Sequence, residues 1–392
     1  MTVIITISIL ILMAYLFDIT AAKTRIPSVI LLLVLGFLTK QVGDFFSINI
    51  PDLKPILPVL GTIGLILIVL EGSLELEINK SKLRVIRKSS LLAFIPLILL
   101  SFSLAYAFQY YGQVSFKIAL ANAIPFAVIS SAIAIPSAVN LLAKDKEFIT
   151  YESSLSDIFG VIFFNFITLN DYFNTESILF FIAEILCMLI VSFIATLALA
   201  FFLHKIKHHI KFIPIIILLT LIYAFSKIFH LPALIFILLF GLFMGNIDEL
   251  RHYKFIQQFH PINFNKEVHK FKELTTEIAF LIRALFFLLF GFLIEIEEIL
   301  NPDTILWAVL ITIALFVLRM IFLKLFRLQV SPLVYLAPRG LITILLFLSI
   351  PVSQSIDLVN NSLVIQVIIL TALVMMVGLM RTRPKEEQVE TV

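Results

Sequence analysis

The chain has 392 residues, 61% of them hydrophobic and only 14% charged, with a mean hydropathy of +1.09. Soluble domains carry about 25% charged residues, so this composition excludes a soluble globular protein and leaves an all-α polytopic membrane protein. The net charge of +3 matters less than where the charges lie, no nucleic-acid partner is expected, and the single Cys187 excludes an intrachain disulfide.

Apolar runs predict thirteen membrane spans, near residues 3–21, 27–41, 55–74, 89–110, 117–142, 151–170, 177–203, 212–229, 231–247, 276–294, 303–323, 332–352 and 362–380. The first run lacks a basic start and the chain re-enters the membrane at once, so it reads as a span rather than a signal peptide. With the N-terminus outside, inner loops and the tail carry most of the Lys and Arg, including Lys80, Lys82, Arg84, Arg87 and Lys88. Outer loops carry Lys40, Lys54, Lys117 and Lys227. That asymmetry supports thirteen spans in a plasma (inner) membrane, N-terminus out and C-terminus in. Residues 1–381 form one transmembrane domain, and residues 382–392 a short cytoplasmic tail.

Taken in order, span 3 ends in Val69-Leu-Glu-Gly-Ser-Leu-Glu75. Its Glu71 either snorkels to the interface or acts as an accessory acid. Span 5 contains Ser130, Ser131 and Pro136. The proline removes a backbone N–H in mid-span, where only protein or a wet cavity can satisfy the freed groups. Span 6 carries Glu152, Ser153, Ser156 and Asp157. A carboxylate inside a span costs about 2.5–3.5 kcal/mol on insertion scales, so Asp157 marks an ion or proton pathway before a packing role. Ser153 shares its helix face. Hydroxyls, a carboxylate and freed carbonyls suit a hard monovalent cation.

Residues 248–275 read as a solvated linker, whose His252, His260 and His269 show no zinc-ligand spacing. Arg283, Arg319 and Arg339 fall within later spans. Arg339, in the second interrupted segment Ala337-Pro-Arg-Gly340, needs a counter-charge or several carbonyls, and Glu152 is the expected counter-charge. Two interrupted spans in separated halves point to a secondary transporter with inverted repeats.

Several runs resemble the monovalent cation/proton antiporter superfamily, near its sodium/proton exchanger branch. Thr24-Arg-Ile-Pro-Ser-Val29 with Gly36, Leu70-Glu-Gly-Ser-Leu74, Glu152-Ser-Ser-Leu-Ser-Asp157, Leu281-Ile-Arg-Ala-Leu-Phe-Phe287 with Gly291, and Arg339-Gly-Leu-Ile-Thr343 with Ser349-Ile-Pro351 are similar to family motifs, in family order. The resemblance implies two broken crossing helices, a core moving against a dimerisation domain, and a homodimer in membrane lipid. It implies that Asp157 binds a cation or a proton in turn, and that Glu152 and Arg339 form a structural pair. Ser156 stands where the family has Asn, and Ala134-Ile-Pro136 lacks the family's span-5 carboxylate.

The expected function is therefore exchange of a monovalent cation, sodium favoured over potassium, for protons. No enzyme activity and no cofactor are expected. Asp157, Ser153, Ser156, Ser130 and Ser131 are the candidate cation and proton site, with Glu71 and Arg283 as accessories. The alternatives are a transport-inactive membrane sensor or assembly protein on the same fold, and an organic-anion symporter.

Overall fold

In lipid, a segment must satisfy its own backbone hydrogen bonds, and a helix does so without a partner. A computed structural model of the chain describes residues 2–24, 26–46, 52–79, 81–170, 175–205, 211–229, 231–249 and 261–382. These residues are overwhelmingly helical and contain no strand.

The helices run α1 Thr2–Thr24, α2 Ser28–Phe45, α3 Ile56–Glu75, α4 Leu83–Gly112, α5 Phe116–Ala127, α6 Ser131–Ser137, α7 Ala143–Leu169 and α8 Thr175–Lys205. There follow α9 Phe212–Ile228, α10 Leu234–Gly245, α11 Pro261–Leu293, the short α12 Ile296–Ile299, α13 Pro302–Leu325, a 3-10 turn Leu333–Tyr335, α14 Leu341–Leu348 and α15 Asn361–Arg381. Among the described residues, nine helical segments are long and apolar enough to cross a membrane, and three shorter apolar helices accompany them. Every expected span falls on one of these helices or on a broken pair.

The linker expected over 248–275 is a different matter. Residues 250–260, with His252 and His260, lie outside the described residues. From Pro261 onward the segment is already α11, because Val268, Phe271 and Thr275 recur at helical spacing and are buried. His269 sits on its exposed face. The tail, apart from Thr382, also lies outside the described residues.

Helix neighbours sort into two bodies. One gathers α4 to α7 with α13, α14 and α15; the other gathers α1 to α3 with α8, α10 and α11. Composition explains the sorting. Residues 119–127 of α5 are mostly small and apolar, and all are buried, as befits the centre of a bundle. Helix α8 is also apolar, but Leu179, Phe180, Leu186, Ile190, Phe193 and Ile194 are exposed, as lipid-facing side chains are. Helix α3 forms the seam, meeting α6, α7 and α14 of the other body.

Within the second body α2 and α11 approach backbone to backbone. A Cβ at Gly36 would lie 2.1 Å from Leu288 O, and one at Gly291 would lie 2.2 Å from Leu33 O. No side chain fits such a gap without separating the helices, and overpacking typically costs about 1–3 kcal/mol. Gly291→Val is therefore expected to lower the melting temperature in detergent clearly, whereas Val34→Ala, on the exposed face of α2, leaves it nearly unchanged. Equal shifts in a fluorimetric melt would show that this contact is not close-packed.

Candidate functional site

The first interruption is not where the proline suggests. Pro136 lies inside α6, near its end, and removes a single intrahelical bond there. The chain unwinds earlier, at residues 128–130, between α5 and α6. Val128 and Ser130 take extended backbone angles. Val128 and Ile129 are β-branched and weak helix formers, and Ser130 suits a helix start. A second unwound stretch, residues 336–340, separates the 3-10 turn from α14.

These two stretches touch. The Ser130 N–H donates to Pro338 O at 3.0 Å. The Ile129 N–H donates to Ser156 Oγ at 2.9 Å, and the Arg339 N–H to Thr371 Oγ1 at 3.1 Å. At Gly340 a Cβ would meet Ile133 Cδ1 at 2.5 Å and Ser130 Oγ at 3.0 Å, so a side chain there would have to displace Ile133.

Arg339 does not pair with Glu152. Its Nε donates to Phe126 O at 2.6 Å, its Nη2 to Ala127 O at 3.1 Å, and its Nη1 to Ala337 O at 2.9 Å. Phe126 and Ala127 end α5, where carbonyls lack intrahelical partners and the helix dipole is negative. The cation thus caps a helix end inside the protein. Glu152 is held by Arg319 of α13 instead, in a two-pronged contact of 2.7 and 2.8 Å. The Arg319 Nε donates to Leu333 O at 2.8 Å. The expected pair fails because two arginines compete for one carboxylate, and only Arg319 reaches it while Arg339 takes up carbonyls.

Asp157 lies at the crossing and is 1% exposed. The Ser131 N–H donates to its Oδ2 at 3.4 Å, and the Ser131 hydroxyl donates to the same oxygen. Its other oxygen, Oδ1, is buried without a hydrogen-bond partner. Ser154 Oγ and Thr343 Oγ1 share that condition. No ion pair to Asp157 occurs among the described residues.

The remaining candidates divide. Ser131 and Ser156 join the crossing, the second by holding Ile129. Ser130 contributes its backbone N–H and the cap position of α6. The Ser153 hydroxyl donates to Ile149 O of its own helix at 2.7 Å, so its proton is committed locally. Glu71 and Arg283 face one another at 3.5 Å. They line a cavity of about 1070 Å³, together with Asp18, Glu75, Ile135, Asp145 and Thr276. It opens where α3 and α6 end and α7 begins, and Gly72, Ile135 and Pro136 are among its lining residues. Arg319 and Thr371 hold residues of the crossing and its neighbourhood and were not singled out from the sequence. Arg319 was visible only as a third arginine within a span.

Removing one side of a buried ion pair typically costs about 3–5 kcal/mol. Glu152→Ala and Arg319→Ala should each lower thermal stability in detergent, and the double variant should lose less than their sum. The same cycle with Arg339→Ala should give a smaller coupling. A coupling to Arg339 as large as that to Arg319 would restore the pairing read from the sequence.

Comparison with known proteins identifies the fold and the family. The family described as sodium/hydrogen exchanger, transmembrane, matches residues 7–382. A structure of the sodium proton antiporter MjNhaP1 from Methanocaldococcus jannaschii at pH 8 superposes with a TM-score of 0.67 at 18% identity, covering 97% of this chain and 100% of that one. A second, from an electron-microscopy map of MjNhaP1, gives 0.71 at 18% identity, covering 98% and 99%. At that identity the likeness concerns the fold. No curated protein matches. With the family match spanning nearly the whole sequence, the chain belongs to the sodium/hydrogen exchanger family of integral membrane proteins.

Proposed function

We propose that Asp157 is the carboxylate at which a monovalent cation and a proton compete in this exchanger, with sodium preferred over potassium. The observation that carries this reading is the state of Asp157 itself. It is buried at the crossing of two interrupted helices, it keeps one oxygen unpartnered, and no arginine neutralises it. A carboxylate kept inside a membrane protein at such cost, and not used in an ion pair, is suited to carrying a charge that comes and goes. The neighbouring hydroxyls and freed backbone supply the neutral oxygens a hard cation requires.

Exchange is one for one and electroneutral in this reading. Position 135 holds isoleucine rather than an acid, and Glu71 faces Arg283, which leaves Asp157 as the one unpaired acid at the crossing. The protein works as a homodimer in the plasma membrane, with the N-terminus outside and the cavity open to the cytoplasm. The basic residues of the loops support that orientation. An organic-anion symporter would need a free positive helix end, whereas the first N–H of α6 is turned to Asp157. A transport-inactive role would leave the cost of an unpaired Asp157 without a return.

Asp157→Asn should abolish cation-dependent proton flux in proteoliposomes while leaving expression and the melting temperature close to wild type. Retained flux in that variant would sink the assignment.

A membrane potential is worth about 2.3 kcal/mol per charge per 100 mV to an exchanger that moves net charge. With one proton exchanged per cation, an imposed potential should leave both the rate and the end point of exchange unchanged. An end point that tracks voltage would mean that a second charge, with Glu71 the first suspect, moves as well.

A further inference from the structure

We propose that Ser154 supplies the neutral oxygen that receives the cation between the cavity and Asp157, so that the site contains a hydroxyl from α7 besides the carboxylate. This rests on the assignment of Asp157 above and adds a binding residue to it.

Ser154 lies three residues before Asp157, on the same side of α7 and one turn nearer the end of the helix that opens on the cavity. It is 1% exposed, and its hydroxyl has no hydrogen-bond partner. A buried hydroxyl without a partner costs about 1–3 kcal/mol, so a group left in that condition calls for a use. The hydroxyl of Ser153 next to it has a local partner, the carbonyl of Ile149.

The direction of the Ser154 hydroxyl is fixed by what it faces. A Cβ built on Gly72 would sit 2.9 Å from Ser154 Oγ and 3.5 Å from Ile135 Cδ1. Gly72 and Ile135 both line the cavity. Ser154 therefore lies directly behind the cavity wall at a point where the wall has no side chain. Ile135 is one turn along α6 from Ser131, which holds Asp157. From the cavity inward, the order is Gly72 and Ile135, then Ser154, then Asp157 with its free Oδ1. The two residues with unpartnered oxygens are three positions apart on α7. Position 135, on the facing helix, is apolar and offers no ligand. The hydroxyl of Ser154 is thus an unpartnered oxygen beside the cavity wall, and a monovalent cation losing water there gains a ligand from it.

The test separates binding from folding. Ser154→Ala removes no hydrogen bond, so its melting temperature should equal or slightly exceed that of the wild type. Its KM for sodium in proteoliposomes should rise about three- to tenfold with kcat little changed, the loss expected for one neutral oxygen contact. Gly72→Ala should raise KM through the same hydroxyl, and in the double variant with Ser154→Ala its effect should largely vanish. Three results would overturn the proposal. One is an unchanged KM in Ser154→Ala, and another is a joint fall of kcat and melting temperature with no change in KM. The third is full additivity with Gly72→Ala. Asp157→Asn is assayed beside them. If that variant is inactive while Ser154→Ala behaves as wild type, only the role of Ser154 fails. If Asp157→Asn still exchanges, the assignment of the carboxylate fails and the role of Ser154 falls with it.

Discussion

Everything at the crossing depends on one guanidinium. Interrupting a helix inside a membrane frees backbone groups that lipid cannot satisfy, at several kcal/mol each. Arg339 reaches from one interrupted stretch to the carbonyls that end α5 in the other, and to Ala337 O in its own. Its charge meets the negative end of the α5 dipole, so one residue provides both the donors and the electrostatic match. The N–H groups on the opposite side find Pro338 O, Ser156 Oγ and Asp157. Without the interruption there would be no α6 start for Asp157 to face. Without Arg339 the interruption would leave bare carbonyls in the protein interior.

The acids fall into two kinds. Glu152 and Arg319 cancel one another and tie α7 to α13, within the body that carries the site. Glu71 and Arg283 do the same between α3 and α11 in the other body, at the cavity wall. Each pair sits within one body, so each can hold its body together whatever the two bodies do relative to one another. Asp157 has only hydroxyl and backbone donors. Paired acids fix structure, and an acid without an ion-pair partner is free for the exchange proposed above.

Much of this was legible in the sequence. Apolar runs of membrane length gave the helices, because each such run must be self-sufficient in lipid. Asp157 stood out because a carboxylate in an apolar run is costly and marks an ion or proton pathway before a packing role. What stayed hidden depends on distance across the bundle. The partner of Glu152 is 167 positions away, and nothing local in the sequence says which of Arg319 and Arg339 reaches it. Arg339 stood out by its Pro-Arg-Gly break, whereas Arg319 is a single arginine in an unbroken apolar run. The sequence allowed carbonyls or a carboxylate for Arg339, and only the fold shows that α5 ends within its reach. The position of the first interruption was misjudged for a related reason. Proline is a strong local breaker, yet near the end of a short helix it disrupts little. Tertiary acceptors for the N–H groups of Ile129 and Ser130 decided where the chain unwinds. The early start of α11 was in fact visible, in the spacing of Val268, Phe271 and Thr275, but the surrounding charges masked it.

The character of the seam between the bodies follows from the same division of labour. Within the crossing, contacts are directional hydrogen bonds that tolerate little displacement. Across the seam, α3 offers glycines. Gly61 meets Leu345, Gly64 meets Leu341, and Gly72 meets Ile135 and Ser154. Such contacts are largely van der Waals, weak individually and without direction, so one packed arrangement can give way to another at small cost. The cavity stops at this seam on one side of Asp157. On the other side Val128 closes against Gly160, where a Cβ would lie 2.3 Å from its methyl group. The directional network therefore belongs to the body that holds Asp157, and the non-directional contacts border it. The proposed exchange at Asp157 is well served by that distribution, since a shift along the seam breaks none of the bonds that position the carboxylate.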